Sequence, residues 1–85
     1  MAVNRKEIEE KVIDIIAEQL SREKDQIKLS SDITNDLGAD SLDLAELMIG
    51  FEEGFDIDIA EDKVGDISTV NDVVDQICKA LEGNE

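Results

Sequence analysis

Asp40-Ser41-Leu42-Asp43-Leu44-Ala45-Glu46-Leu47-Met48-Ile49-Gly50-Phe51-Glu52-Glu53-Gly54-Phe55 is the stretch on which the fold turns. Leu44, Leu47, Met48, Phe51 and Phe55 recur at helical spacing and, at about 100° per residue, share one broad apolar face. Asp40 suits an N-cap, and Asp43 three residues on puts a carboxylate in the first turn, where the helix dipole favours it. The stretch therefore predicts a helix from Asp40 or Ser41 to about Phe55, with a core-facing side. With Asp40 as the cap, Ser41 is free to point outward.

The same helix carries a second, narrower stripe: Leu42, Ala45 and Ile49, flanked by Asp43, Glu46 and Glu53 on one side and Glu52 on the other. One apolar face is enough to pack a helix. A second one rimmed with carboxylates reads as a docking surface. The competing reading is that Leu42 and Ile49 are further core or ordinary surface residues.

Upstream, Ile8, Val12, Ile15, Ile16 and Leu20 predict a first helix over Asn4–Leu20, with Asn4 as N-cap and Glu7 three residues later. Residues 21–40 lack a sustained period and are rich in turn formers, so they read as a long loop pinned by Ile27, Leu29, Ile33 and Leu37. Downstream, a short helical turn over Glu61–Gly65 is an expectation. A last helix then starts near Ser68 or Thr69, where Thr69-Val70-Asn71-Asp72 resembles a capping box. Val70, Val73, Val74, Ile77 and Leu81 form its core face, and Gly83 is its C-cap. The fold class is all-α: a small three- to four-helix bundle with a long loop between the first and second helices, in one domain spanning residues 1–85.

Composition narrows the function. Net charge is −15, and it is unevenly placed: residues 1–30 hold seven acids and six bases, residues 31–85 sixteen acids and two bases. The 34 residues from Leu29 to Asp62 hold eleven acids and no Lys or Arg. Acidity alone aids solubility, but this imbalance reads as a steering surface for a basic partner and speaks against nucleic acid or anionic membranes. There is no His, no nucleophile–base pair and no Gly-rich phosphate loop, so the chain is not expected to be an enzyme. Cys78 is the only cysteine and reads as a small buried hydrophobe, with no disulfide or Cys-rich metal site. With no secretory signal and no apolar run of spanning length, a cytoplasmic monomer without stable membrane insertion is expected. Asp56-Ile57-Asp58 with Glu61 and Asp62 fails as a calcium loop, because Glu61 stands where Gly is needed and Ile67 where Glu is needed. No specific metal site is assigned.

Taken alone, Asp40-Ser41-Leu42 could be no more than a helix start. Asp36-Leu37-Gly38-Ala39-Asp40-Ser41-Leu42-Asp43, followed by Glu46-Leu47, Glu52-Glu53 and Phe55-Asp56, resembles the discrete acyl carrier proteins of fatty-acid synthesis over nearly the whole chain. The resemblance implies that a phosphopantetheinyl transferase attaches the 4′-phosphopantetheine arm of coenzyme A to Ser41, and that the arm's thiol carries an acyl chain as a thioester. It implies that Asp40, Leu42, Asp43, Ala45, Glu46, Ile49, Glu52 and Glu53 meet basic patches on fatty-acid synthesis enzymes. It further implies that Leu47, Phe51, Ile59 and Ile67 line a cavity for the acyl chain. Two departures stand out. Ile59-Ala60 replaces the family's frequent Ile-Pro step, and Gly50 and Gly54 lie inside the second helix, each costing up to about 1 kcal/mol relative to Ala. Fraying is expected from Gly50 to Gly54. Two alternatives stay open: a carrier for a polyketide or other secondary pathway, and an unmodified acidic adaptor that docks a basic protein without needing Ser41.

Overall fold

The computed structural model describes residues 4–59 and 67–82. Three helices form there: α1 (Arg5–Leu20), α2 (Ser41–Phe55) and α3 (Val70–Glu82), with a single 3₁₀ turn at Lys24–Gln26 in the first loop. The expected turn at Glu61–Gly65 and the expected C-cap Gly83 lie outside the described residues.

Each helix starts where its capping chemistry allows. The Asn4 side chain accepts from the amides of Lys6 and Glu7, at 3.0 and 3.3 Å. Asp40 Oδ1 accepts from the Asp43 amide at 2.9 Å, and Asp43 Oδ2 accepts from the Asp40 amide at 3.2 Å, a reciprocal box built from two aspartates. Thr69 and Asp72 do the same for α3, at 3.2 and 3.0 Å. Ser21 and Asp56 close α1 and α2 in the left-handed conformation.

Helix α1 packs against both α2 and α3. Val12 and Ile16 of α1, Leu47 and Phe51 of α2, and Val70, Val73, Val74 and Ile77 of α3 are fully buried in one core. No polar or charged side chain is buried with them among the described residues, so that core is held by apolar contact alone. Arg5 adds a rim tie between α1 and α3, donating to Asp75 at 2.8 Å and to Asn71 at 2.7 Å.

The first loop is ordered by backbone bonds that no residue pattern announces. Ile33 N–H donates to Ser68 O, Val70 N–H to Ser31 O and Asn71 N–H to Leu29 O, around an antiparallel bridge between Asp32 and Thr69. The loop is thus stitched to the start of α3. Asp32 Oδ1 takes the amides of Thr34 and Asn35, and Asp36 Oδ2 takes the Asp32 amide, forming a compact polar turn. Ile27, Ile33, Leu37 and also Ala39 are buried beneath it, with Leu29 half-buried against the core.

Gly50 and Gly54 have a packing role that their sequence reading left out. A Cβ on Gly50 would lie 3.3 Å from Ile15 Cγ2, and one on Gly54 would lie 3.0 Å from Ile15 Cδ1. The two glycines, one turn apart, form a shallow seat for Ile15, and α2 continues through both to Phe55. Beside them Lys11 Nζ lies 5.0 Å from the centre of the Phe55 ring.

Candidate functional site

Ser41 is the first residue of α2 and is exposed. Because the Asp40 carboxylate takes the cap, the Ser41 hydroxyl is not needed to hold the helix start. The chain reaches it through a fixed turn. Leu37 N–H donates to Asp32 O at 3.1 Å, Ala39 N–H donates to Ile33 O at 3.1 Å, and Gly38 between them sits at φ +76°, a conformation that suits glycine. Leu37 and Ala39 point into the core on either side of Gly38. A buried, hydrogen-bonded turn therefore ends in an exposed hydroxyl at a helix N-terminus, where free backbone amides tolerate an attached phosphate.

The second apolar stripe is on the surface. Leu42 is 67% exposed and Ile49 53% exposed, the large hydrophobic residues left in solvent among the described ones, and Ala45 between them is exposed as well. The opposite face of α2 is the core side, with Leu47, Met48 and Phe51 buried and Leu44 and Phe55 half-buried. The division of α2 into two faces is as its periodicity predicts.

The flanking acids differ in their freedom. Glu53 and Asp40 are exposed, and Asp40 is engaged in the cap. Asp43 is half-buried within the capping box. Glu46 is exposed and accepts from Gln19 Nε2 of α1 at 2.6 Å, which steadies its carboxylate beside the stripe. Glu52 is half-buried, and its Oε2 accepts from the Ile59 amide at 2.8 Å. Sequence reasoning placed these carboxylates on one helix but missed that Gln19 and Ile59 hold two of them. No spacing rule links residues 27 or 7 positions apart across a turn.

Leu47 and Phe51 are fully buried, Ile67 is buried, and Ile59 lies half-buried against the same core. All four thus border the apolar interior. Among the described residues no cluster of three or more metal-ligating side chains forms, and no helix is long and apolar enough to cross a membrane.

Comparison with known proteins accounts for this arrangement. Residues 10–77 match the family described as phosphopantetheine attachment site. The chain is 43% identical over 76 residues to an acyl carrier protein of Porphyromonas gingivalis, covering 89% of this chain and 97% of that one. It is 52% identical over 63 residues to an acyl carrier protein of Trieres chinensis, covering 74% and 79% of the two chains. Its fold superimposes on the crystal structure of an acyl carrier protein from Thermotoga maritima with a TM-score of 0.82 at 27% identity, over 95% of this chain and 94% of that one. Sequence, fold and an exposed serine at a capped helix start converge: this chain belongs to the acyl carrier protein family, whose members are phosphopantetheine-bearing carriers of acyl groups and not enzymes.

Proposed function

We propose that Ser41 is the attachment residue, that residues 1–85 act as one carrier domain, and that α2 presents the loaded arm to fatty-acid synthesis enzymes. The observation that carries this is the exposed Ser41 hydroxyl at the first position of α2, freed by the Asp40–Asp43 box and followed by the exposed Leu42. Transfer joins the Ser41 oxygen to the phosphorus of phosphopantetheine, the P–O bond of the coenzyme A diphosphate breaks so that adenosine 3′,5′-bisphosphate leaves, and the hydroxyl proton goes to a base on the transferase. This chain has no His to take that proton. When attached, the arm supplies a thiol that holds an acyl group as a thioester.

The remaining parts follow from the surface. Leu42, Ala45 and Ile49 offer a small apolar contact, and Asp43, Glu46, Glu52 and Glu53 surround it with negative charge. A partner with a basic patch is steered in quickly and held with modest affinity, as a carrier that visits many enzymes requires. Tethering the cargo at the helix start raises its effective concentration at whichever enzyme has docked. Leu47, Phe51, Ile59 and Ile67 lie at the apolar interior that would shelter the acyl chain. The carrier acts as a monomer in the cytoplasm.

Intact-protein mass spectrometry tests the central claim. Incubation with coenzyme A, magnesium and a broad-specificity phosphopantetheinyl transferase should add one phosphopantetheine to the wild type and none to Ser41→Ala. A folded wild type that gains nothing, beside a control carrier that does, would remove Ser41 from the role.

A further inference from the structure

We infer that Arg22 is a positioning residue for the modification of Ser41, a strut between the end of α1 and the turn that delivers the serine; this rests on Ser41 being the attachment residue. The base of the strut is fixed: the Arg22 amide donates to Ala17 O at 2.9 Å, directly after the left-handed cap at Ser21. Its tip is fixed too, because Nη2 donates to the carbonyl of Leu37 at 3.1 Å in a partly buried setting. The same Nη2 lies 3.6 Å from where a Cβ on Gly38 would be, so the guanidinium rests against the left-handed residue of the turn. From Gly38 the chain runs through the buried Ala39 to the cap Asp40 and to Ser41.

The bond matters because of what surrounds it. Asp32, Asp36 and the carbonyl of Ile33 organise the front of the loop through residues within it. Arg22 ties the back of the turn to a helix. Its bond is charge-assisted and joins segments 15 residues apart, so it limits how far the turn can drift from α1. Arg22 forms no ion pair among the described residues, which leaves its charge at the margin of the base-free acidic stretch. The exposed stripe on α2 is built from other residues, so loss of the strut should leave docking intact and disturb only where the Ser41 hydroxyl sits once the transferase has docked.

Steady-state phosphopantetheinyl transfer to the apo forms of wild type, Arg22→Ala and Arg22→Lys tests this. Arg22→Ala should lower kcat by about tenfold, as a small misplacement of a reacting group does, with KM close to wild type and a melting temperature lowered by no more than the few degrees that one lost hydrogen bond costs. Arg22→Lys, which keeps a charged donor of similar reach, should recover most of the rate. Amide resonances of Gly38, Asp40 and Ser41 should shift in Arg22→Ala while those of α3 stay in place. A wild-type kcat in Arg22→Ala, or a loss confined to KM, overturns the inference while leaving Ser41 modified. A wild type that is never modified overturns the Ser41 reading instead.

Discussion

The Glu52 carboxylate accepts a hydrogen bond from the Ile59 amide at 2.8 Å, so an acid on the rim of the exposed α2 stripe also holds the chain that follows the helix. The bond lies over a return segment in which Ile57 is buried and Ile59 half-buried. Glu52 therefore has a structural role besides the docking charge proposed for it, and two substitutions separate the two. Glu52→Ala removes the acceptor and should cost about 1 kcal/mol, the typical net worth of a hydrogen bond, with the extra contribution of the charge discounted for its half-exposed setting. For a domain of this size that is a fall of about 4–8 °C in melting temperature. Glu52→Gln keeps an acceptor oxygen and removes the charge, so it should melt near wild type. Thermal unfolding of the three proteins decides it: identical melting points would show that the bond contributes nothing.

Ile15 makes the two glycines of α2 unequal. Adding a methyl at Gly54 meets the far end of the Ile15 side chain, which can rotate away about χ2, whereas at Gly50 it meets Cγ2, which moves only with χ1. The gain in helix propensity is up to about 1 kcal/mol at either site. Gly54→Ala should therefore raise the urea midpoint by more than Gly50→Ala. In the wild type, amide exchange should be faster over Gly50–Gly54 than over Leu44–Met48, because the packed seat offsets only part of the glycine cost. Uniform protection along α2 would rule that out.

These details mark where the sequence was readable. Helix positions, both faces of α2 and the three N-terminal caps follow from periodicity and from Asp, Asn and Thr at the right offsets, because those signals are local to the chain. Asp40 as cap and Ser41 as a free neighbour are legible for that reason. The stitching of residues 29–33 to Ser68–Asn71 is not, since backbone amides and carbonyls are the same for every residue type. Gly50 and Gly54 read as a cost when only propensity is counted. Their benefit depends on Ile15 from another helix, which no local pattern supplies. Ala39 was missed as a core residue because a single small side chain carries no periodic signal.

Charge repulsion should make the fold respond to salt. Residues 31–85 hold sixteen acids and two bases, while the ion pairs of the described residues are the exposed contacts of Arg5 with Glu9 and Asp75 and of Lys24 with Asp14. Exposed pairs contribute about 0–1 kcal/mol each, so screening them loses little. The repulsion acts over many carboxylates at once and weakens as the screening length falls from about 30 Å at 0.01 M to about 8 Å at 0.15 M. The melting temperature should rise across that range. A flat or falling melting point would mean that the ion pairs outweigh the net charge.

Asp72 should give α3 a pH dependence of known sign. Its carboxylate accepts from the amides of Thr69 and Ser68, each at 3.0 Å, and the Thr69 amide first, then that of Ser68, holds its pKa below the usual carboxylate value. A folded pKa that is depressed adds stability in full above the unfolded value of about 3.9, and that contribution is lost as pH falls through the folded pKa. Asp72→Asn keeps the shape and removes the charge. At pH 7 it should be less stable than wild type by about 0.3–1 kcal/mol, the usual worth of a negative charge at a helix N-terminus. The gap between the two proteins should then narrow below about pH 4 as the wild-type carboxylate takes up its proton. Comparing variant with wild type cancels the titration of the other acids, so paired urea midpoints at each pH measure Asp72 itself. A gap that stays constant with pH would mean that the cap acts through geometry and that its charge contributes nothing.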